Sequence, residues 1–353
     1  MPRIIALLIC TIACCEAAGL IRLTSDKRIG FVDVSGRVSI PFSYERASEF
    51  SEGLASVFAN GKWTILTASG VAVSSNTYQS IDRFSEGLAG AQISNRWGFI
   101  DSSSSWSVPA RFERVRPFSE GKGCGELLGG WHYLDRRGNM LAGPFQAAYP
   151  FRSGLGIVVV SNRWGMLGGD FKFRLEPKYE EITMNESNCI RVKQAGKWGL
   201  LDSQLHQILP CDYDWVGDVF EGAVAVRRND RWGWVMAGHQ STSDLRYEFA
   251  GRFSESRAAF ARNKKYGFVD GSLQIVVAEQ YDEVLPFSEA VAWVRTGNKW
   301  SAINPQGKPV FGAAQFVSVT PFREGVALVA TVDSLRRGEF LLIDRLGRII
   351  SPR

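Results

Sequence analysis

The sequence predicts an all-β fold, a tandem array of about ten antiparallel β-meander repeats of 34 residues each. Three observations carry that prediction. The hexapeptide Arg96-Trp97-Gly98-Phe99-Ile100-Asp101 recurs, with its second residue at Ile29, Trp63, Trp97, Trp131, Trp164, Trp198, Trp232, Tyr266, Trp300 and, more weakly, Phe340. Successive steps are 33 or 34 residues except the last, which is 40. Around each copy, short apolar runs alternate with a period of two between glycine- and asparagine-marked turns, and no 3.6-residue apolar period occurs. The missing helical period excludes helix-pair repeats of similar length.

Taken in chain order, the first element is a leader. Arg3 supplies a positive start, Ile4 to Ala13 a short apolar run, and Ala17 and Ala18 the small residues a signal peptidase needs. Residues 1–18 are therefore expected to be a signal peptide and 19–353 the repeat array, in a periplasmic, outer-membrane-associated or secreted protein. The run is shorter than the ~20 residues of a membrane span. Thr11 to Cys14 and Ile12 to Cys15 resemble degenerate lipoprotein cleavage sites, with Thr11 a poor fit in the first and Cys14 in the second, so a lipid on Cys14 or Cys15 is the alternative, and the one membrane attachment the sequence offers. Of the later cysteines, Cys124, Cys189 and Cys211 read as small buried hydrophobes, with a Cys189–Cys211 bridge as the alternative.

Composition adds exclusions. With 45% hydrophobic and 22% charged residues, the chain is globular rather than disordered. A formal charge of +5 spread over mixed signs, without a polybasic run, argues against nucleic acid as partner.

Within one unit, Tyr78 to Pro109, the reading is as follows. Ser80 to Phe84 is a short extended run and Ser85-Glu86-Gly87 interrupts it. Leu88 to Ile93 alternates as a half-buried strand, Ser94-Asn95 is a two-residue turn, and Arg96 to Asp101 is the next strand. After a serine-rich turn, Trp106 to Val108 forms a last strand closed by Pro109.

Trp63, Trp97, Trp131, Trp164, Trp198, Trp232, Tyr266 and Trp300 are expected to be structural anchors, mostly buried. The glycine that follows most of them leaves room for a ring or a neighbouring backbone. A solvent-exposed glycan-stacking ladder is the alternative.

Asp33, Asp135, Asn304 and Asp344 each begin a four-residue turn ending in glycine, with the side chain as cap; Thr67 to Gly70 has a weaker cap. One carboxylate per turn does not build a calcium site.

A second mark, Phe-Ser-Glu-Gly, runs at Phe50, Phe84 and Phe118, with echoes at Phe253, Phe287 and Phe322. Its glutamates, from Glu52 to Glu324, are expected to pair weakly with the basic column Lys62, Arg96, Arg163, Lys197, Arg231, Lys265 and Lys299.

The pattern Lys/Arg-Trp-Gly-Phe/Leu-Ile/Leu-Asp, preceded by Phe-Ser-Glu-Gly-Leu-Ala and followed by Ile-Pro, resembles the bacterial WG-containing (Trp-Gly) repeat over nearly all of residues 19–353. That resemblance implies a β-repeat array in an exported or surface-associated protein and brings no catalytic residues. Lys62-Trp63-Thr64, Gly130-Trp131-His132 and Lys299-Trp300-Ser301 depart from it only at the glycine.

His132, His206 and His239 stand in no metal or nucleophile motif, so no catalytic, cofactor-binding or metal-binding residue is expected. The expected function is a non-enzymatic binding or scaffolding array presenting an extended face to a protein or peptide. The alternative is a glycan or cell-wall binder using its aromatic columns. The termini carry no spare strand to complete the first unit, and 34 residues is short for a four-stranded blade. An open, twisted, solenoid-like stack is therefore favoured over a closed propeller-like ring.

Overall fold

A computed structural model describes residues 19–353 apart from 26, 34–36, 186–188, 237–244, 313–315, 337–339 and 351–353. The leader with Cys14 and Cys15, Gly36, His239 and Arg337 lie outside the described residues.

The expected class is what the chain adopts. Among the described residues, nine antiparallel sheets follow one another, each built from strands that are consecutive in sequence, and none closes on itself. Among these residues one short helix, Val332–Arg336, interrupts them, in the insertion before Phe340. The described chain divides into two compact units, residues 1–179 and 180–353. Within each, meander follows meander in a solenoid-like stack.

Turn chemistry explains the meander. In the unit around Trp97, Glu86 and Gly87 both have positive φ, and Ser85 and Leu88 exchange backbone hydrogen bonds across them. That is a two-residue turn whose twist matches a hairpin. It leads into the strand Leu88–Ile93, pairing Leu88 with Asp101 through Ile93 with Arg96. Ser94 and Asn95, again at positive φ, make the second tight turn. The third turn follows Arg96–Asp101: Asp101 Oδ1 accepts the N–H groups of Ser103 and Ser105 at 2.9 and 3.0 Å. Asp135, Asn304 and Asp344 repeat that cap. For the Asp33 turn, the Arg37 N–H bond is described.

Two strand expectations need correction. The fourth strand does not stop at Pro109 but runs Trp106–Phe112, with a bulge between Val108 and Phe112. Proline survives there because a bulged residue owes no ladder hydrogen bond. The same bulge explains the anchor glycine. A Cβ on Gly98 would lie 2.3 Å from the Val108 carbonyl oxygen and 2.7 Å from the Ala110 nitrogen, so the glycine admits a neighbouring backbone.

The second correction concerns burial. Leu88 to Ala91 are buried on both faces of the strand, not on one. Ala89, Ala91 and Ile100 join a core with Leu54 and Ile65 of the preceding meander. Leu88 and Phe99 join a core with Phe118 and Leu134 of the following one. Alternation thus divides a strand between two cores rather than between core and solvent.

At the C-terminal end, Glu283 to Asp344 form a single six-stranded sheet, so the last two meanders are hydrogen-bonded together. Among the described residues Cys124, Cys189 and Cys211 form no disulfide, so the alternative Cys189–Cys211 bridge is absent. Burial pushes the Cys124 thiol up to about 12, which suits a packing role.

Candidate functional site

The anchors lie at different depths, and Trp63, Trp97, Trp198 and Trp232 pack against the cores of their meanders. Trp131 and Trp300 are buried, whereas Trp63, Trp97, Trp164, Trp198, Trp232 and Tyr266 are half-buried. The fully buried position lies two residues on: Phe31, Ile65, Phe99, Tyr133, Met166, Leu200, Trp234, Phe268 and Ala302 are all 1% exposed or less. Each anchor stands beside a tight turn at the end of its strand, opposite an aromatic of the bulged strand. Trp97 faces Phe112, Trp164 faces Tyr179, Trp198 faces Tyr213 and Tyr266 faces Tyr281. Sequence reading missed that second aromatic column, although its 15-residue offset from the anchor recurs.

The glutamates of Phe-Ser-Glu-Gly have another role than pairing with the basic column. They accept backbone N–H groups of the next meander's turn. Glu86 takes those of Glu120 and Gly121 at 2.6 and 2.9 Å, and Glu255 those of Glu289 and Ala290 at 2.6 and 2.7 Å. Glu52, Glu120, Glu221 and Glu289 do likewise. Beside them, the Ser51, Ser85, Ser119, Ser254 and Ser288 hydroxyls donate to the carbonyl of the following unit's phenylalanine at 2.6–2.9 Å. The motif is therefore a ladder that sets the spacing between meanders.

The basic column has other partners, 17 residues ahead. Arg96 reaches Glu113, Lys197 reaches Asp214 at 2.5 Å and Lys265 reaches Asp282 at 2.6 Å. Asp214 and Asp282 also accept a turn N–H from Asn229 and Gly297, so each joins one meander to the next. Lys197 and Lys265, followed by those N–H groups, hold the two carboxyls below the usual range.

With the charged columns spent on structure, the anchor side carries what remains. A groove of about 270 Å³ lies between Trp97 and Trp131, lined also by Asp82, Arg114, Val115 and Arg116. The Arg116 guanidinium stacks on Trp131 and Tyr149, 4.5 and 3.9 Å from the ring centres, and Glu126 holds Arg114 with both carboxylate oxygens. Burial raises the Asp82 carboxyl to about 6.

Equivalent grooves recur in the second unit. One of about 180 Å³ is walled by Trp198 and Trp215, and one of about 350 Å³ by Phe249 and Tyr266. Of the remaining predicted positions, His206 is exposed beside Asp202, and among the described residues no three His, Cys, Asp or Glu side chains converge as a metal site.

The model of the WG containing repeat matches residues 29–63, 77–97, 97–124, 164–198, 198–232, 243–266, 266–300 and 301–331, more than half of the chain. No curated protein matches. Among solved structures, similarity is found to a eukaryotic initiation factor at 12% identity and TM-score 0.43, covering 83% of this chain and 95% of that one. PorZ, a surface component of the type-IX secretion system of Porphyromonas gingivalis, is similar at 10% identity and TM-score 0.32, covering 89% and 55%. The extracellular domain of a B. thetaiotaomicron protein described as a hybrid two component system gives 10%, 0.27, 94% and 62%.

Proposed function

The chain belongs to the WG containing repeat family, and we propose that it is an exported, non-enzymatic binding or scaffolding protein that holds an extended protein or peptide along its anchor side. The observation that carries this reading is the recurrence of one groove at one repeat position, beside Trp97, Trp198 and Tyr266. Within a compact unit, a repeated groove lets contacts to a linear partner add from meander to meander. Export is supported by Arg3 and the apolar run Ile4 to Ala13, with a lipid on Cys14 or Cys15 as a second attachment. The non-enzymatic reading is supported by the use of the acidic columns, which accept turn N–H groups and bind lysines. A glycan partner is the second reading, favoured by the six half-buried anchors.

Selection from a random-peptide display library on the purified chain, beside a glycan array, tests the assignment. Peptides whose binding is lost in Trp97→Ala or Trp198→Ala support it. Binders found only among glycans, or peptides indifferent to every groove substitution, overturn it.

A further inference from the structure

The residue that opens the first strand of each meander stands 17 positions before the next anchor. It is Arg46, Ser80, Arg114, Ala147, Glu181, Trp215, Phe249 and Glu283 in turn. Six of these eight are not aromatic. The two consecutive exceptions, Trp215 and Phe249, are 37% and 36% exposed. They fall between anchors and complete an unbroken run. Ring centres lie 5.0 Å apart from Trp215 to Trp232, 5.7 Å from Trp232 to Phe249 and 5.8 Å from Phe249 to Tyr266.

Resting on the peptide-binding reading above, we propose that this run is a docking site for a proline-rich peptide in the polyproline II conformation that carries an acidic residue. Three features select that occupant. Successive rings pack on one another inclined at 50°, 45° and 62°, so they form a ridged surface rather than one flat platform, and a ridged aromatic surface suits proline rings better than a sugar face. The groove between Phe249 and Tyr266 has small residues, Gly251 and Ala259, in its lining. The indole N–H groups of Trp215 and Trp232 meet no acceptor among the described residues. A polyproline II strand makes no internal hydrogen bonds, so its carbonyls are free to accept them.

Charge then fixes the acidic residue. In the same groove Arg252 stacks on Phe220, and Arg257 donates to the carbonyls of Pro305 and Ser256. Neither guanidinium has a carboxylate partner among the described residues. The groove's own carboxylate, Glu283, is taken by Arg295 at 2.8 Å. A peptide carboxylate between Arg252 and Arg257 supplies the missing charge.

Fluorescence anisotropy with a labelled peptide of repeated Pro-Pro-Glu tests this on the full chain. Controls are Gly-Ser-Glu and Pro-Pro-Lys peptides of equal length, and cellohexaose. Trp215→Ser and Phe249→Ser install a residue type that the repeat already carries at Ser80, so the variants should still fold, with the parent circular-dichroism spectrum and a lower melting temperature that remains above the assay temperature. The Pro-Pro-Glu peptide should bind at least about tenfold tighter than either control peptide, and either substitution should weaken it about tenfold or more, the loss typical of an aromatic anchor. Arg252→Glu should reverse the Glu-over-Lys preference. Equal affinity for Pro-Pro-Glu and Gly-Ser-Glu, or binding unchanged by both serine variants, overturns the proposal. So does cellohexaose binding that those variants abolish. Library peptides that bind only through the Trp97 groove overturn this site but leave the array reading standing, whereas the absence of any peptide binder removes both.

Discussion

Ser51 shows how a residue that reads as loop punctuation can act between repeats. Its buried hydroxyl donates to the Phe84 carbonyl, 33 residues away, so Ser51→Ala leaves a carbonyl without its donor. The expected loss is about 1 kcal/mol, read from urea unfolding. An unchanged midpoint would mean that the hydroxyl contributes nothing to the spacing of the meanders. Phe99 and Trp97 form a sharper comparison, because the repeat anchor is the larger ring and Phe99 the deeper one. Phe99 is fully buried and Trp97 is not, so Phe99→Ala should cost ~3–5 kcal/mol and Trp97→Ala distinctly less. The reverse order in denaturant melts would restore tryptophan as the core. Asp82 adds a pH signature. Burial raises its folded carboxyl from 3.8 to about 6, so the protonated form is the stabilised one. That contribution is complete below about pH 4 and is lost as pH rises through about 6. Asp82→Asn should therefore gain stability relative to wild type between pH 4 and 7, and a pH-independent difference would contradict the burial argument.

For the meander as an element, much of the geometry was legible in the sequence. Leu88–Ile93 and Arg96–Asp101 begin and end where the alternation and the Ser94-Asn95 turn place them, because tight-turn chemistry is local. What escaped is what depends on the neighbouring meander. Pro109 read as a terminator because a bulge is not visible from one strand. The glutamates read as surface charge because their acceptor role needs the next unit's turn, and the acids at Asp214 and Asp282 gave no motif at all. The groove residues Trp215 and Phe249 were hidden for a related reason: only the alignment of strand starts shows them to be exceptions. The bulge itself is testable. Gly98→Ala places a methyl against the Val108 carbonyl, so it should destabilise far more than Gly121→Ala, whose added Cβ has open space although its positive φ brings strain. Circular dichroism melts of the two variants compare them directly.

On the scale of the whole molecule, the meanders form a chain of nearest-neighbour interfaces inside each of two compact units. Damage at one unit should therefore stay local. In hydrogen exchange, Phe99→Ala should expose Leu88 to Leu134, and equal loss throughout residues 19–353 would contradict an array. The same additive organisation underlies the functional claim, since the ladder of serines and glutamates fixes the repeat while the anchor side repeats the groove. That claim is tested most directly by hydrogen exchange with a selected peptide bound at saturation. The account predicts new protection at anchor-side segments such as Arg96–Trp97, Lys197–Trp198 and Lys265–Tyr266, with the Glu-Gly turns unchanged. Protection confined to the turns at Glu52, Glu86 and Glu120, or spread evenly over both sides, would contradict it.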